Sequence, residues 1–188
     1  MLTKKLILAS KSPRRSQLLT EAGIPFTIRT QDVEESFPSD LAPEKVSTFL
    51  AEKKAAAMEG QIGEGEIILT ADSVVILDQT IFNKPENYED AFRMLRELSG
   101  KMHRVITGVC LMSEDKKQTF AGSSKVYFDD LSDAEIEYYI NNFQPYDKAG
   151  AYAIQEWIGW CKIKHIEGSY SNIMGLPVRL VYEALKHF

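Results

Sequence analysis

Leu6-Ile7-Leu8-Ala9-Ser10-Lys11-Ser12-Pro13-Arg14-Arg15 joins a short apolar run directly to a helix start. Residues 6–9 have the length and apolarity of a buried strand, and Ser12-Pro13 supplies an N-cap followed by proline at the first helical position. A helix that begins there presents unpaired backbone N–H groups and the positive end of its dipole, both of which favour an anion. Lys11, Arg14 and Arg15 add cations around the first turn, where the dipole disfavours them. An anionic ligand at the strand-to-helix junction reconciles the two.

Outward from that junction the chain alternates strands and helices. A helix over residues 13–22 carries Leu18, Leu19 and Ala22 on its apolar side and stops at Gly23, and residues 26–29 read as a second strand. Residues 30–42 are polar, acidic and contain Pro38, so they read as a loop, one that carries Glu34 and Glu35. Residues 43–59 place Val46, Phe49, Leu50 and Ala57 near helical spacing, with Lys53 and Lys54 on a more exposed arc. Gly60, Gly63 and Gly65 lack the Lys-Ser/Thr ending of a P-loop and read as a turn.

Residues 67–69 and 74–77 are apolar strand candidates interrupted by Thr70-Ala71-Asp72-Ser73, with a hairpin turn at Asp78-Gln79. A carboxylate between two buried runs is conspicuous. Residues 89–98 read as a helix stopped by Gly100, and residues 105–112 and 125–128 as paired strands. Ser132 and Glu135 form a capping box for a helix reaching Phe143. Residues 158–166 read as a strand, and a closing helix from Pro177 directs Val178, Val181, Tyr182 and Leu185 inward. This mixture predicts an α/β (mixed α+β) architecture with a central mixed sheet flanked by helices.

A chain of 188 residues can bury a large core, ~70% of its unfolded surface, and is expected to form one domain over residues 1–188, or two lobes of one domain. The net charge of −5 opposes non-specific binding to nucleic acid or an anionic membrane, so an anionic substrate needs a local positive patch. Cys110 and Cys161 lack metal-ligand spacing and read as reduced core residues. His103, His165 and His187 stand singly and read as structural or surface residues, and Trp157 and Trp160 as core or interface aromatics. The apolar run after Lys4-Lys5 is too short for the roughly 7–15 residues of a signal-peptide core, and no run approaches a membrane span. A cytoplasmic protein is expected.

Distant segments add up to more than any one of them. Ala9-Ser10-x-Ser12-Pro13-Arg14-Arg15, Leu50-Ala51-x-x-Lys54-Ala55, Ala71-Asp72-Ser73, Lys84-Pro85, Leu98-Ser99-Gly100, Thr107-Gly108, Asp147-Lys148-Ala149-Gly150-Ala151-Tyr152 and Gly175-Leu176-Pro177 occur in this order. Together they resemble the Maf family of nucleoside triphosphate pyrophosphatases, over nearly the whole chain. The resemblance implies two lobes around a cleft, similar to the inosine triphosphate pyrophosphatase fold. It also implies cleavage between the α and β phosphates, which calls for cations, a carboxylate-held divalent metal (Mg2+ or Mn2+) and an activated water. In that pattern Asp72 accepts the proton of the attacking water. Glu35 and Lys54 line the catalytic site, and Lys84 contacts the phosphates with Arg14 and Arg15. Ser10 shapes the phosphate loop. Glu35 and Asp72 are the metal carboxylates, a sparse set that suits magnesium shared with substrate phosphates.

An amide both donates and accepts, so Gln155 suits the O4 and N3–H edge of uracil or thymine. The family branch acting on dTTP and UTP is associated with an arginine after Ser-Pro, a threonine after Ala-Asp and a glutamine after Asp-Lys-Ala-Gly-Ala-Tyr; here these are Arg14, Ser73 and Gln155. Three positions depart from the pattern: Ser73 stands for threonine, and Ala153 and Glu156 stand for glycines. A carboxylate at Glu156 would repel phosphates or reshape the base pocket unless its side chain turns to solvent, and it is expected to stay out of the phosphate site. The expected partner is a nucleoside triphosphate, with no nucleic acid and no membrane, and the family suggests a homodimer. Two other readings are a nucleotide-binding regulator of septum formation with incidental hydrolysis, and a purine-type pyrophosphatase if Gln155 does not face the base.

Overall fold

The structure, a computed structural model, describes residues 4–188. Its strands are β1 (Lys5–Leu8), β2 (Thr27–Ile28), β3 (Glu66–Leu77), β4 (Thr80–Phe82), β5 (Met102–Met112), β6 (Lys117–Phe128) and β7 (Ile163–Glu167). Among the described residues they form one sheet in the order β2-β1-β3-β5-β6-β7, with β4 paired to β3. β1 runs parallel to β2 and β3, whereas β3–β4 and β6–β7 are antiparallel, so the sheet is mixed as the sequence predicts. The helices are α1 (Pro13–Glu21), α2 (Pro43–Ala56), α3 (Tyr88–Leu98), α4 (Asp133–Phe143), α5 (Trp157–Cys161), α6 (Tyr170–Met174) and α7 (Val178–Lys186).

Contacts divide the chain into two units, Met1–Asp72 with Thr107–Gly122 and Gly175–Phe188, and Ser73–Ile106 with Ser123–Met174; the boundaries fall inside β3, β5 and β6. In the first unit β1 is buried along Leu6, Ile7 and Leu8, and Ile7 packs with Ile68 and Met58. The α2 helix lies directly on β5. A Cβ added at Gly108 would stand 2.4 Å from the Ser47 and Thr48 backbone, so only glycine permits that approach. The Thr70 hydroxyl, buried in β3, donates to the Ala51 carbonyl of α2 at 2.6 Å and fixes the helix along its axis. The second unit has its own core, in which α3 and α4 pack around Leu95, Leu98, Phe128, Ile136 and Tyr139.

Several expectations need correction. β3 runs unbroken from Glu66 to Leu77, because Thr70 and Asp72 find tertiary partners and need no turn. The α2 core face is Val46, Ser47, Leu50, Ala51 and Ala55; Phe49 is exposed, and Lys54 is tucked in with its side chain 17% exposed. Residues 158–166 split into the short helix α5 and the strand β7, since Glu156 starts a helical turn that the apolar residues Ile158 and Cys161 had disguised as strand. Cys161 is exposed while Cys110 is buried, and both are free thiols. Tyr182 faces outward against Lys186, so α7 buries Val181 and Leu185 alone among the four residues expected there. The capping box at Ser132 and Glu135 forms as read, as does the β3–β4 hairpin, with Asp78 in the left-handed region.

Candidate active site

The first unit gathers the charged residues. After β1 the chain turns through Ser10, whose hydroxyl oxygen accepts from the Ser12 N–H at 3.2 Å and from Arg15 Nη1 at 3.1 Å. Ser12 is the N-cap of α1 by position, but its side chain makes no capping bond, and Pro13 follows it. Arg15 Nε donates to the Gly175 carbonyl at 2.8 Å, so the Gly-Leu-Pro segment preceding α7 locks the guanidinium in place. Burial pulls the Arg15 proton affinity down, and Asp72 and Glu35 lie near enough to oppose that pull.

Lys54 is the hub of this unit. Its ammonium donates to Asp72 Oδ1 at 2.6 Å and to Glu35 Oε1 at 2.7 Å, so a helix, a strand and the acidic loop meet at one cation. The loop is held there by more than Glu35: Lys11 pairs with Asp32, and Lys53 donates to the Ser36 carbonyl at 3.0 Å. Asp72 has only 12% of its side chain exposed. Burial raises its pKa above the ordinary carboxylate range, with Lys54 and Arg15 pulling the other way. A carboxylate made more basic by burial, beside fixed cations, is suited to taking a proton from water.

Two carboxylates converging on one cation position are also the donor set for a hard divalent ion that completes its shell with phosphate oxygens and water. No group of three or more His, Cys, Asp or Glu gathers among the described residues.

The second unit carries Ser73, Lys84 and Gln155. Ser73 follows Asp72 along β3. Lys84 sits at the surface in the segment after β4, and the neighbouring Asn83 carbonyl accepts from the Gly150 N–H at 3.0 Å, tying that segment to the Asp-Lys-Ala-Gly-Ala-Tyr run. Gly150 is required there: its φ is +69°, and a Cβ would press on Val75 at 3.0 Å. Gln155 lies in the turn before α5, and its Oε1 is buried without a hydrogen-bond partner among the described residues. An unsatisfied buried amide oxygen costs stability on the order of 1–3 kcal/mol unless a ligand supplies a donor.

Of the alternatives at Glu156, a side chain turned to solvent is not what forms. The Glu156 carboxylate accepts from the Tyr139 hydroxyl and pairs with Lys148 Nζ at 3.4 Å, with 20% of the side chain exposed. Tyr139 was invisible as a site residue because its spacing on α4 marks it simply as core, and Lys148 was quoted only as part of a motif. Trp160 is 75% exposed, whereas Trp157 is half-buried, packs against the core of the second unit and meets Tyr138 edge to face.

With a buried basic carboxylate, a cationic cradle at a strand-to-helix junction and an unpaired amide, the chain has the parts of a nucleotide-handling hydrolase. The Maf-like protein family model matches residues 5–188, and the chain belongs to that family. A protein of Bacteroides thetaiotaomicron named dTTP/UTP pyrophosphatase is 48% identical over 97% of this chain and 95% of its own length. One of the same name from Flavobacterium johnsoniae is 48% identical over 96% of this chain and 93% of its own. Among solved structures, a Staphylococcus aureus Ham1 protein aligns with a TM-score of 0.49 at 13% identity, over 66% of this chain and 72% of that one.

Proposed function

We propose that this chain hydrolyses dTTP and UTP to the nucleoside monophosphate and pyrophosphate, so keeping these nucleotides and their modified relatives in check. The observation that carries the reading is the Lys54-bridged pair of Asp72 and Glu35 behind the Ser10–Arg15 junction, in a chain 48% identical to proteins named for this activity. Asp72 takes a proton from water as the water oxygen bonds to phosphorus, the α–β bridging bond breaks, and pyrophosphate leaves. Arg14, Arg15, Lys84, Ser10 and the α1 N–H groups hold the negative charge that shifts onto the leaving phosphates. Lys54 orients Asp72 and keeps Glu35 beside it.

Glu35 and Asp72 would hold a divalent cation, magnesium or manganese. It would supply charge neutralisation on the phosphates and a more acidic water. Ser73 and Gln155 belong to base selection, with Gln155 Oε1 accepting the N3–H of uracil or thymine. The whole of residues 1–188 acts as one catalytic domain, in the cytoplasm where the nucleotides are, as a homodimer, without nucleic acid or membrane as partner. No helix among the described residues is long and apolar enough to cross a membrane.

A panel of dTTP, UTP, CTP, GTP and ATP assayed for pyrophosphate release with magnesium or manganese tests the proposal. Preference for dTTP and UTP with stoichiometric monophosphate supports it. Release of orthophosphate, or a purine preference, overturns it.

A further inference from the structure

Resting on the reading of Gln155 as the base reader, we infer that Tyr139, Glu156, Lys148 and Trp160 form a clamp that fixes the turn carrying Gln155, making them positioning residues for base selection. The turn closes on itself, the Glu156 N–H donating to the Ala153 carbonyl at 3.1 Å, and Gln155 is its third residue. Tyr139 Oη grips both ends: it accepts from the Ala153 N–H at 3.0 Å and donates to the Glu156 carboxylate. Burial and the Glu156 carboxylate raise the phenol's pKa, so it stays a donor at any working pH.

Lys148, with its side chain 10% exposed, pairs with the same carboxylate and with Asp147 Oδ1 at 2.8 Å. On the other side Trp160 Nε1 donates to the Gln155 carbonyl at 3.1 Å. Gly159 closes the last gap, since a Cβ there would come within 1.7 Å of the Ile154 carbonyl oxygen. Tyr139, Trp160 and the turn's own backbone bond therefore hold Ala153, Gln155 and Glu156 in place, while the Gln155 amide oxygen is buried without a hydrogen-bond partner among the described residues.

The clamp explains a departure from the family pattern. A glycine at position 156 would leave the Tyr139 hydroxyl one acceptor short and Lys148 with Asp147 as its remaining carboxylate here. Glu156 fills both needs, and Ala153 presents the N–H that the same phenol accepts. A fixed reader discriminates by leaving wrong base edges unpaired, whereas a loose one swings to follow them.

The test compares kcat and KM for dTTP, UTP and CTP in Tyr139→Phe, Glu156→Ala, Glu156→Gln, Trp160→Phe and Gln155→Ala, alongside thermal midpoints. Freeing the turn costs the ordering of one or two side chains. KM for dTTP and UTP is therefore expected to rise about 3- to 10-fold in Tyr139→Phe and Glu156→Ala, with kcat and the CTP constants held. Glu156→Gln, which keeps an acceptor for the phenol, recovers part of the loss. Should Tyr139→Phe fail to fold, Glu156→Ala and the surface change Trp160→Phe decide. Unchanged dTTP-to-CTP ratios in the clamp variants, with the ratio lost in Gln155→Ala, overturn the clamp and leave the base reader standing. A lowered melting temperature with no change of ratio overturns it as well, as does an unchanged ratio in Gln155→Ala, which removes the base reader too.

Discussion

Asp72 does its work through its neighbours. Burial drives its proton affinity up, while Lys54 at 2.6 Å and Arg15 pull it down. In the metal-free chain the Asp72 carboxyl therefore takes up its proton above the range of an exposed aspartate, and it is the carboxylate form that can act as base. Lys54→Met removes the nearest opposing charge. Without metal, the Asp72 titration is then expected to move to higher pH, as carboxyl NMR of the metal-free chain will show; an unmoved titration separates Lys54 from the ionisation of Asp72.

Gln155→Glu is expected to erode discrimination of UTP from CTP and GTP, because a carboxylate cannot offer the donor that an amide can. A substrate panel on that variant reads it directly, and unchanged kcat/KM ratios count against base reading. At this scale the meeting of Asp72, Lys54 and Glu35 was legible only through the family resemblance, since spacing alone puts Lys54 on an exposed arc. The sequence was silent on Tyr139, whose hydroxyl acts in a position that helical spacing assigns to packing.

Elements were legible where their signals are local. The junction after β1, the Ser132 capping box and the hairpin at Asp78 all depend on residues within a few positions of one another. The unbroken course of β3 was not, since Thr70 and Asp72 look like turn residues until Ala51 and Lys54, from α2, answer them. The burial of Lys54 follows from the same docking. Gly108→Ala tests it: with Ser47 and Thr48 backbone at 2.4 Å the helix must lift, at a cost of about 1–3 kcal/mol. Urea unfolding measures that loss, and pyrophosphate release should fall with it as Lys54 moves from Asp72.

A second element-scale prediction concerns β5. His103 is buried against Phe128 and Tyr152, with Nε2 2.8 Å from the Tyr152 hydroxyl, and burial drives its pKa down to about 3. The unfolded chain binds a proton near pH 6.5 and the native chain does not, so this stabilising contribution is intact above that pH. It is lost as pH falls toward 3, at ~1.4 kcal/mol per unit. Between pH 6.5 and 4.5 His103 weakens the native chain as pH falls while Asp72, its pKa raised by burial, acts with the opposite sign, and Glu66 and Glu135, with lowered carboxyl pKa values of about 2, act further down. His103→Gln is expected to flatten the pH dependence of stability in that window; an unaltered slope there assigns it elsewhere.

For the molecule as a whole, a net charge of −5 means that attraction for a triphosphate comes from where the cations stand, not from their number. Charge-assisted contacts to phosphate are worth about 1.5–3 kcal/mol each, so Arg14→Ala or Lys84→Ala should weaken UTP binding more than UMP binding by calorimetry. Equal losses for the two nucleotides would place those side chains away from the terminal phosphates. The mixed sheet was readable from the alternation of strands and helices, and two lobes were expected, whereas the boundaries of the two units were not readable, because they fall inside β3, β5 and β6 where no local signal marks a break.

The central claim is that Asp72 is the base for pyrophosphate release. The most direct measurement follows UTP turnover to UMP and pyrophosphate in the native chain and in Asp72→Asn, with UTP affinity measured on both. The expected result is a fall in turnover of at least ~100-fold, the scale of lost general-base help, with UTP still bound. Turnover near that of the native chain in Asp72→Asn would contradict the account.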